Sequence, residues 1–225
     1  MIPRIVLNFK SYKEAVGKNA LKLCKACYEI SRKFKIPIAV CPQYLDVKEI
    51  RKKFKDLFIF LQHIDPIRKS GAYTGRIVLE NYLAFVDGTL INHLERKLRI
   101  QEIVECIKIA KKFRIISLCC ASSPLEAKKI AEYKPNIIAI EPPELIGTGI
   151  SVSKAKPKDI VKTVELVKRV DRRIKVFCGA GITTPDDVEE ALRLGSEGVL
   201  IASAFVKSKK PKLFLRKIAK VLVNV

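Results

Sequence analysis

The chain has 225 residues, with 44 Lys or Arg against 23 Asp or Glu, a net charge of +21, and 48% hydrophobic residues. That balance excludes a disordered chain, and ten glycines with eleven prolines exclude a collagenous one. No apolar run reaches the roughly eighteen residues of a membrane span.

Short β-branched runs alternate with helical patterns from end to end. Ile5–Asn8 is the first run and turns polar at once, so it reads as a strand and not as a signal peptide. Leu21, Cys24, Cys27, Tyr28, Ser31 and Phe34 then recur at helical spacing. The strand-like runs Ile38–Val40, Phe58–Leu61 and Thr89–Asn92 follow. Ile100, Ile103, Val104 and Ile107 mark the next helix, and Ile116–Cys120 and Ile137–Ile140 are further strands. Pro157 starts another helix, and Lys175–Cys178 is the seventh strand. After it, Thr184 is a cap, Pro185 a first helical position, Asp186 and Asp187 a first turn, and Gly195 an end. Val199–Ile201 is the eighth strand, and Leu215, Ile218, Ala219 and Leu222 close the pattern as a helix.

Eight short strands, apolar throughout and alternating with helices, predict a parallel sheet buried on both faces. Two closures are open: a doubly wound sheet or an eight-stranded barrel. Asn8-Phe9-Lys10-Ser11-Tyr12 has no glycine-rich dinucleotide turn, which favours the closed (β/α)8 barrel. No Ser-rich or Gly-rich linker divides the chain, so residues 1–225 are expected to form one domain.

The seven cysteines show no zinc spacing. Cys24 and Cys27 form a C-x-x-C, but they fall on apolar helix positions and read as small buried hydrophobes of a reducing, cytoplasmic protein. The Lys and Arg residues lie on many helix-like segments, with no basic arm, aromatic RNA-binding motif or finger. They read as a solvated surface of the kind heat-adapted proteins carry, and a nucleic-acid partner is not expected.

In such a barrel, chemistry belongs at the C-terminal ends of the strands. After the first come Asn8 and Lys10; if the chain stays extended, Lys10 points the same way as Asn8 and supplies a fixed cation for an anionic substrate. His63 and His93 follow the third and fourth strands, each open to a chemical or a structural role. Glu141 ends the sixth strand before Pro142-Pro143 and Gly147-Thr148-Gly149, a stretch that reads either as a closing lid over a desolvated base or as a proline-rich loop. Gly179-Ala180-Gly181 and Ala202-Ser203 follow the last two strands, where small residues let backbone amides approach a phosphate. Together these point to a small phosphorylated substrate, a carboxylate base, an imidazole and a lysine. No His, Cys or Asp cluster has metal-ligand spacing, and no nucleotide motif is present.

These residues resemble the triosephosphate isomerase family, most closely its compact archaeal form, over nearly the whole chain. The resemblance is carried by Asn8-Phe9-Lys10, Gly71-Ala72-Tyr73-Thr74-Gly75, Asn92-His93-Leu94-Glu95, Glu141 through Gly149, Cys178-Gly179-Ala180-Gly181 and Ala202-Ser203. It implies cofactor-free interconversion of dihydroxyacetone phosphate and glyceraldehyde 3-phosphate. Glu141 would be the base, His93 a neutral electrophile beside a helix starting near Glu95, and Lys10 the balancing cation. Asn8 and Phe9 would join Lys10 in holding substrate. Backbone amides of Gly147, Gly181, Ala202 and Ser203 would hold the phosphate, with Ile146 closing over it. The resemblance also implies a homodimer or homotetramer, in which Gln62, Tyr73 and Thr74 meet a neighbouring subunit. The chain departs from the family at two places: Leu94 follows His93 where members carry serine, and Arg76 stands where many carry glutamate. The competing reading is a catalytically weak barrel that binds phosphates or nucleic acid through its basic surface.

Overall fold

The structure is a computed structural model that describes residues 1–142, 151–179 and 181–223. Eight parallel strands close on themselves in sequence order: β1 (Ile5–Asn8), β2 (Ile38–Cys41), β3 (Phe58–Leu61), β4 (Gly88–Ile91), β5 (Ile116–Ala121), β6 (Ile137–Ile140), β7 (Lys175–Cys178) and β8 (Gly198–Ile201). β1 pairs with β8 through Ile5↔Val199 and with β2 through Ile5↔Ile38, which shuts the barrel. The closed barrel expected from eight strands with no glycine-rich turn after the first is therefore present.

Strand periodicity sorts each strand between two cores. Val6, Ala39, Phe60, Leu90, Leu118, Ile137, Ala139, Phe177 and Leu200 fill the barrel interior. Their neighbours, such as Ile5, Leu7, Ile38, Ile59, Ile138 and Val176, face outward into the layer shared with the helices. Polar residues that continue the inward row past a strand end thus arrive at the barrel mouth.

The helices follow the predicted pattern. α1 (Lys18–Phe34) buries Leu23, Cys24, Cys27 and Ile30, so both cysteines of the C-x-x-C are core residues. Burial pushes both thiols up, away from the reactive thiolate. α2 (Val47–Lys53), α3 (Ile100–Lys112), α4 (Pro124–Ala131), α5 (Val152–Ala155), α6 (Pro157–Val170), α7 (Pro185–Arg193), α8 (Ser203–Val206) and α9 (Pro211–Val223) complete the ring. α7 begins as the sequence indicates. Thr184 accepts from the Asp187 amide at 3.2 Å, and Asp187 accepts from the Thr184 amide at 2.9 Å.

Two differences from the expected elements have physical causes. β4 runs Gly88–Ile91 and not Thr89–Asn92, because Asn92 adopts a left-handed φ of 63° that ends the strand. Between β3 and β4 the described chain holds a 3-10 turn (Leu79–Tyr82) and no α-helix. In its place, residues 68–76 form a fully exposed excursion. Among the described residues, no helix is long and apolar enough to cross a membrane.

Candidate active site

At the C-terminal mouth, one hollow brings together Asn8, Lys10, His93, Glu141, Gly181, Ala202 and Ser203. The sequence places these residues after five different strands, and barrel closure collects them. The structure puts Phe9 elsewhere: its side chain is fully buried in the outer core, with its ring 6.3 Å from that of Phe205. Ile146 and Gly147, and the lid stretch from Pro143 to Gly149, lie outside the described residues.

Lys10 reaches the hollow by a route other than the expected extended one. Its φ is 48°, a left-handed conformation that costs about 1–2 kcal/mol for a residue with a Cβ. Two side chains from the inward rows hold that bend. Asn8 Oδ1 accepts from the Lys10 amide at 3.0 Å, and Gln62 Nε2 donates to the Lys10 carbonyl at 2.9 Å and to the Cys41 carbonyl at 3.0 Å. Lys10 Nζ lies 3.3 Å from Glu95 Oε1, whose side chain is mostly exposed.

His93 is set by its own turn. The Glu95 amide lies 3.3 Å from Nδ1, which makes Nδ1 the acceptor and leaves the imidazole proton on Nε2. Nε2 in turn faces Glu141, 3.9 Å from Oε2. Below the turn, Asn92 Nδ2 donates to the Cys120 carbonyl at 2.9 Å and to Glu126 Oε1 at 3.0 Å. Its Oδ1 accepts from the Leu98 amide at 3.0 Å. Glu126 also takes Lys97 at 2.6 Å and the Ser122 amide at 2.6 Å. Burial pushes the Glu126 carboxyl up, but the Lys97, Ser122 and Asn92 donors outweigh it and hold the group below its ordinary range. The left-handed Asn92 is thus clamped between an anion and two backbone groups, and His93 inherits its position.

Glu141 continues the inward row of Ile137 and Ala139 and is 6% exposed. Its Oε2 is buried and, among the described residues, has no hydrogen-bond partner. Leu94, directly after His93, is half-buried and carries no hydroxyl. Gly179, next in the inward row of β7, makes room: a Cβ on it would stand 2.8 Å from Glu141 Cγ. A buried carboxylate oxygen with no donor of its own is costly to keep and available for a proton. Across the hollow, Gly181 has a φ of 69°, a conformation that favours glycine. The first intrahelical bonds of α8 run from Phe205 and Val206 to the Ala202 carbonyl, so the amide of Ser203 precedes them.

The second histidine has a structural setting. Burial and nearby Arg96 hold His63 below its ordinary range, and its Nε2 lies 3.5 Å from Asp65 Oδ1. Asp65 is buried and anchors the exposed excursion through Ile77, Arg76 at 3.2 Å and Arg96 at 3.3 Å. Arg76, at the position where the family often has glutamate, therefore pairs with a carboxylate of its own chain. Sequence reading missed Gln62 as a support for Lys10, and it missed the Asn92–Glu126–Lys97 cluster and the partner Glu95. Of these, Gln62 carried a signal: it continues the inward row from Phe60.

A family model described as triosephosphate isomerase matches residues 3–221 of this chain. A triosephosphate isomerase of Methanothermus fervidus is 42% identical over 217 residues, covering 96% of this chain and 97% of its own. One from Methanobrevibacter smithii is 43% identical over 211 residues, covering 93% and 94%. One from Pyrobaculum calidifontis is 41% identical over 223 residues, covering 99% and 97%. With a family model spanning nearly its whole length and relatives this similar from end to end, the chain is an isomerase that belongs to the triosephosphate isomerase family.

Proposed function

We propose that the chain interconverts dihydroxyacetone phosphate and D-glyceraldehyde 3-phosphate without a cofactor, in glycolysis and gluconeogenesis, as a cytoplasmic homo-oligomer. The observation that carries the mechanism is the buried Oε2 of Glu141, without a hydrogen-bond partner among the described residues and 3.9 Å from His93 Nε2 at the barrel mouth.

Glu141 takes a proton from the carbon beside the substrate carbonyl. The electron pair moves onto the carbonyl oxygen and leaves an enediolate. His93, carrying its proton on Nε2, donates to that oxygen and passes the proton between the two oxygens. Glu141 returns its proton to the neighbouring carbon, so atoms and charge balance over the cycle. Lys10 offsets the charge of the substrate and of the enediolate, with Asn8 beside it. The amides of Gly147, Gly181, Ala202 and Ser203 hold the phosphate, and Ile146 closes over the site to exclude water. Phe9 supports the Asn8–Lys10 bend from the core. The resemblance that suggests Tyr73 and Thr74 as subunit contacts accords with their exposure on the excursion.

Turnover of glyceraldehyde 3-phosphate by chelator-treated protein, followed by reduction of the product with a dehydrogenase, tests this reading. Turnover undiminished by the chelator is expected. Absence of turnover would favour a phosphate-binding scaffold in its place.

A further inference from the structure

The positive charge is not spread evenly once the chain is folded. Residues 18–35, which form α1 and its end, and residues 203–223, which form α8, α9 and their link, lie at opposite ends of the sequence. In the barrel α1 and α9 pack side by side. Together these 39 residues carry thirteen Lys or Arg against one carboxylate, Glu29, and so supply twelve of the chain's net charge of +21. The other 186 residues hold 31 cations against 22 carboxylates. All thirteen cations are exposed. Glu29 is already taken by Lys212 at 2.5 Å, across the seam between the two helices.

Heat adaptation does not account for such a face. The networks that stabilise hot surfaces pair opposite charges. This molecule does that elsewhere: Lys168 and Lys175 share Glu197 at 2.5 and 2.7 Å, and Arg193 pairs with Glu190 at 2.6 Å. Thirteen cations within neighbouring helices repel one another and weaken the fold unless a counter-charge covers them.

We propose that the α1–α9 face binds the phosphate backbone of a nucleic acid duplex, independently of base sequence. α1 spans about 25 Å, a length over which a duplex presents roughly fifteen phosphate charges. A single strand fits less well, because the aromatics of the face are half-buried and Arg32 lies over the Tyr28 ring, which leaves no stacking platform. A membrane surface fits less well too: the large exposed apolar side chains of these segments are Leu213 and Val223, too few to insert.

The test is fluorescence anisotropy of a labelled mixed-sequence 24-base-pair duplex, titrated with the full chain between about 50 and 300 mM KCl. Micromolar binding is expected, with log K falling against log salt at a slope of about −4 to −6. Lys22→Glu, Lys25→Glu, Arg216→Glu and Lys217→Glu together should weaken it at least about thirtyfold. Lys128→Glu, Lys129→Glu, Lys158→Glu and Lys162→Glu, the same charge change on α4 and α6, should weaken it less than about threefold. Isomerase activity of both variants reports that they are folded, and a glutamine set at the four α1–α9 positions repeats the comparison with half the charge change. Equal loss in the two sets, a shallow salt slope, tighter binding to a single strand, or preference for phosphatidylserine vesicles would each overturn the proposal.

Discussion

Glu141, Gln62, Ala202 and Asn8 share one property: each sits two residues beyond an inward-facing strand residue. Ile137 and Ala139 lead to Glu141, Phe60 to Gln62, Leu200 to Ala202, and Val6 to Asn8. The period of two in a strand therefore makes the mouth of the barrel legible in the sequence, once the strand ends are known. What was not legible depends on left-handed bends. Lys10 and Asn92 both leave the extended path, and no local signal in a lysine announces that. Gly179 belongs to the same scale, because its missing Cβ is the space that Glu141 occupies. Gly179→Ala is expected to displace the carboxylate and lower kcat by about a hundredfold with the fold retained. Unchanged kcat with an ordinary circular dichroism spectrum would contradict that placement.

Among the elements, α7 shows how fully a start signal can be spelled out. The Thr184 cap, Pro185 at the first position and the acidic first turn appear in the structure as they read in the sequence, and Asp187 closes a reciprocal box with Thr184. The structure adds that the Asp187 carboxylate accepts from the Thr183 and Thr184 amides, each at 2.9 Å, and meets Lys154 of α5 at 2.8 Å. Burial pushes its pKa up, but Lys154 and the two amides outweigh burial and hold it at about 2. The sign follows from that shift. The carboxyl is depressed in the folded state, so its stabilisation is complete above the unfolded value of about 3.9 and is lost as pH falls toward 2. Asp187→Ala should cost about 2 kcal/mol at pH 7, and the deficit should shrink by pH 3, read from urea midpoints. A deficit that does not change with pH would show that the carboxylate charge is not what stabilises the cap. The β3–β4 connection is the element the alternation misjudged: its stretch 68–76 has only Ala72 and Tyr73 as apolar residues, and it is held by Asp65 and its arginines rather than by a helix.

At the level of the whole molecule, counting eight strands left a doubly wound sheet and a barrel both open, and the absence of a glycine-rich turn after the first strand favoured the barrel that the structure shows. The charge distribution did not follow, because segments 18–35 and 203–223 become neighbours only through that closure. The exposed excursion at 68–76 is likewise visible only in three dimensions, with Tyr73 53% exposed. If it enters a neighbouring subunit, sedimentation of the parent should show a dimer or larger species. Thr74→Arg should shift it toward monomer and lower kcat/KM. A monomeric parent at full activity would remove the proposed subunit contact.

The most direct measurement is the isomerisation rate of the parent beside that of Glu141→Gln, which keeps the shape of the side chain and removes its basicity. The account predicts that kcat falls by about a thousandfold or more while thermal stability holds or rises, since a buried charge is gone. A variant that turns over at the parent rate would contradict the assignment of Glu141 as the base.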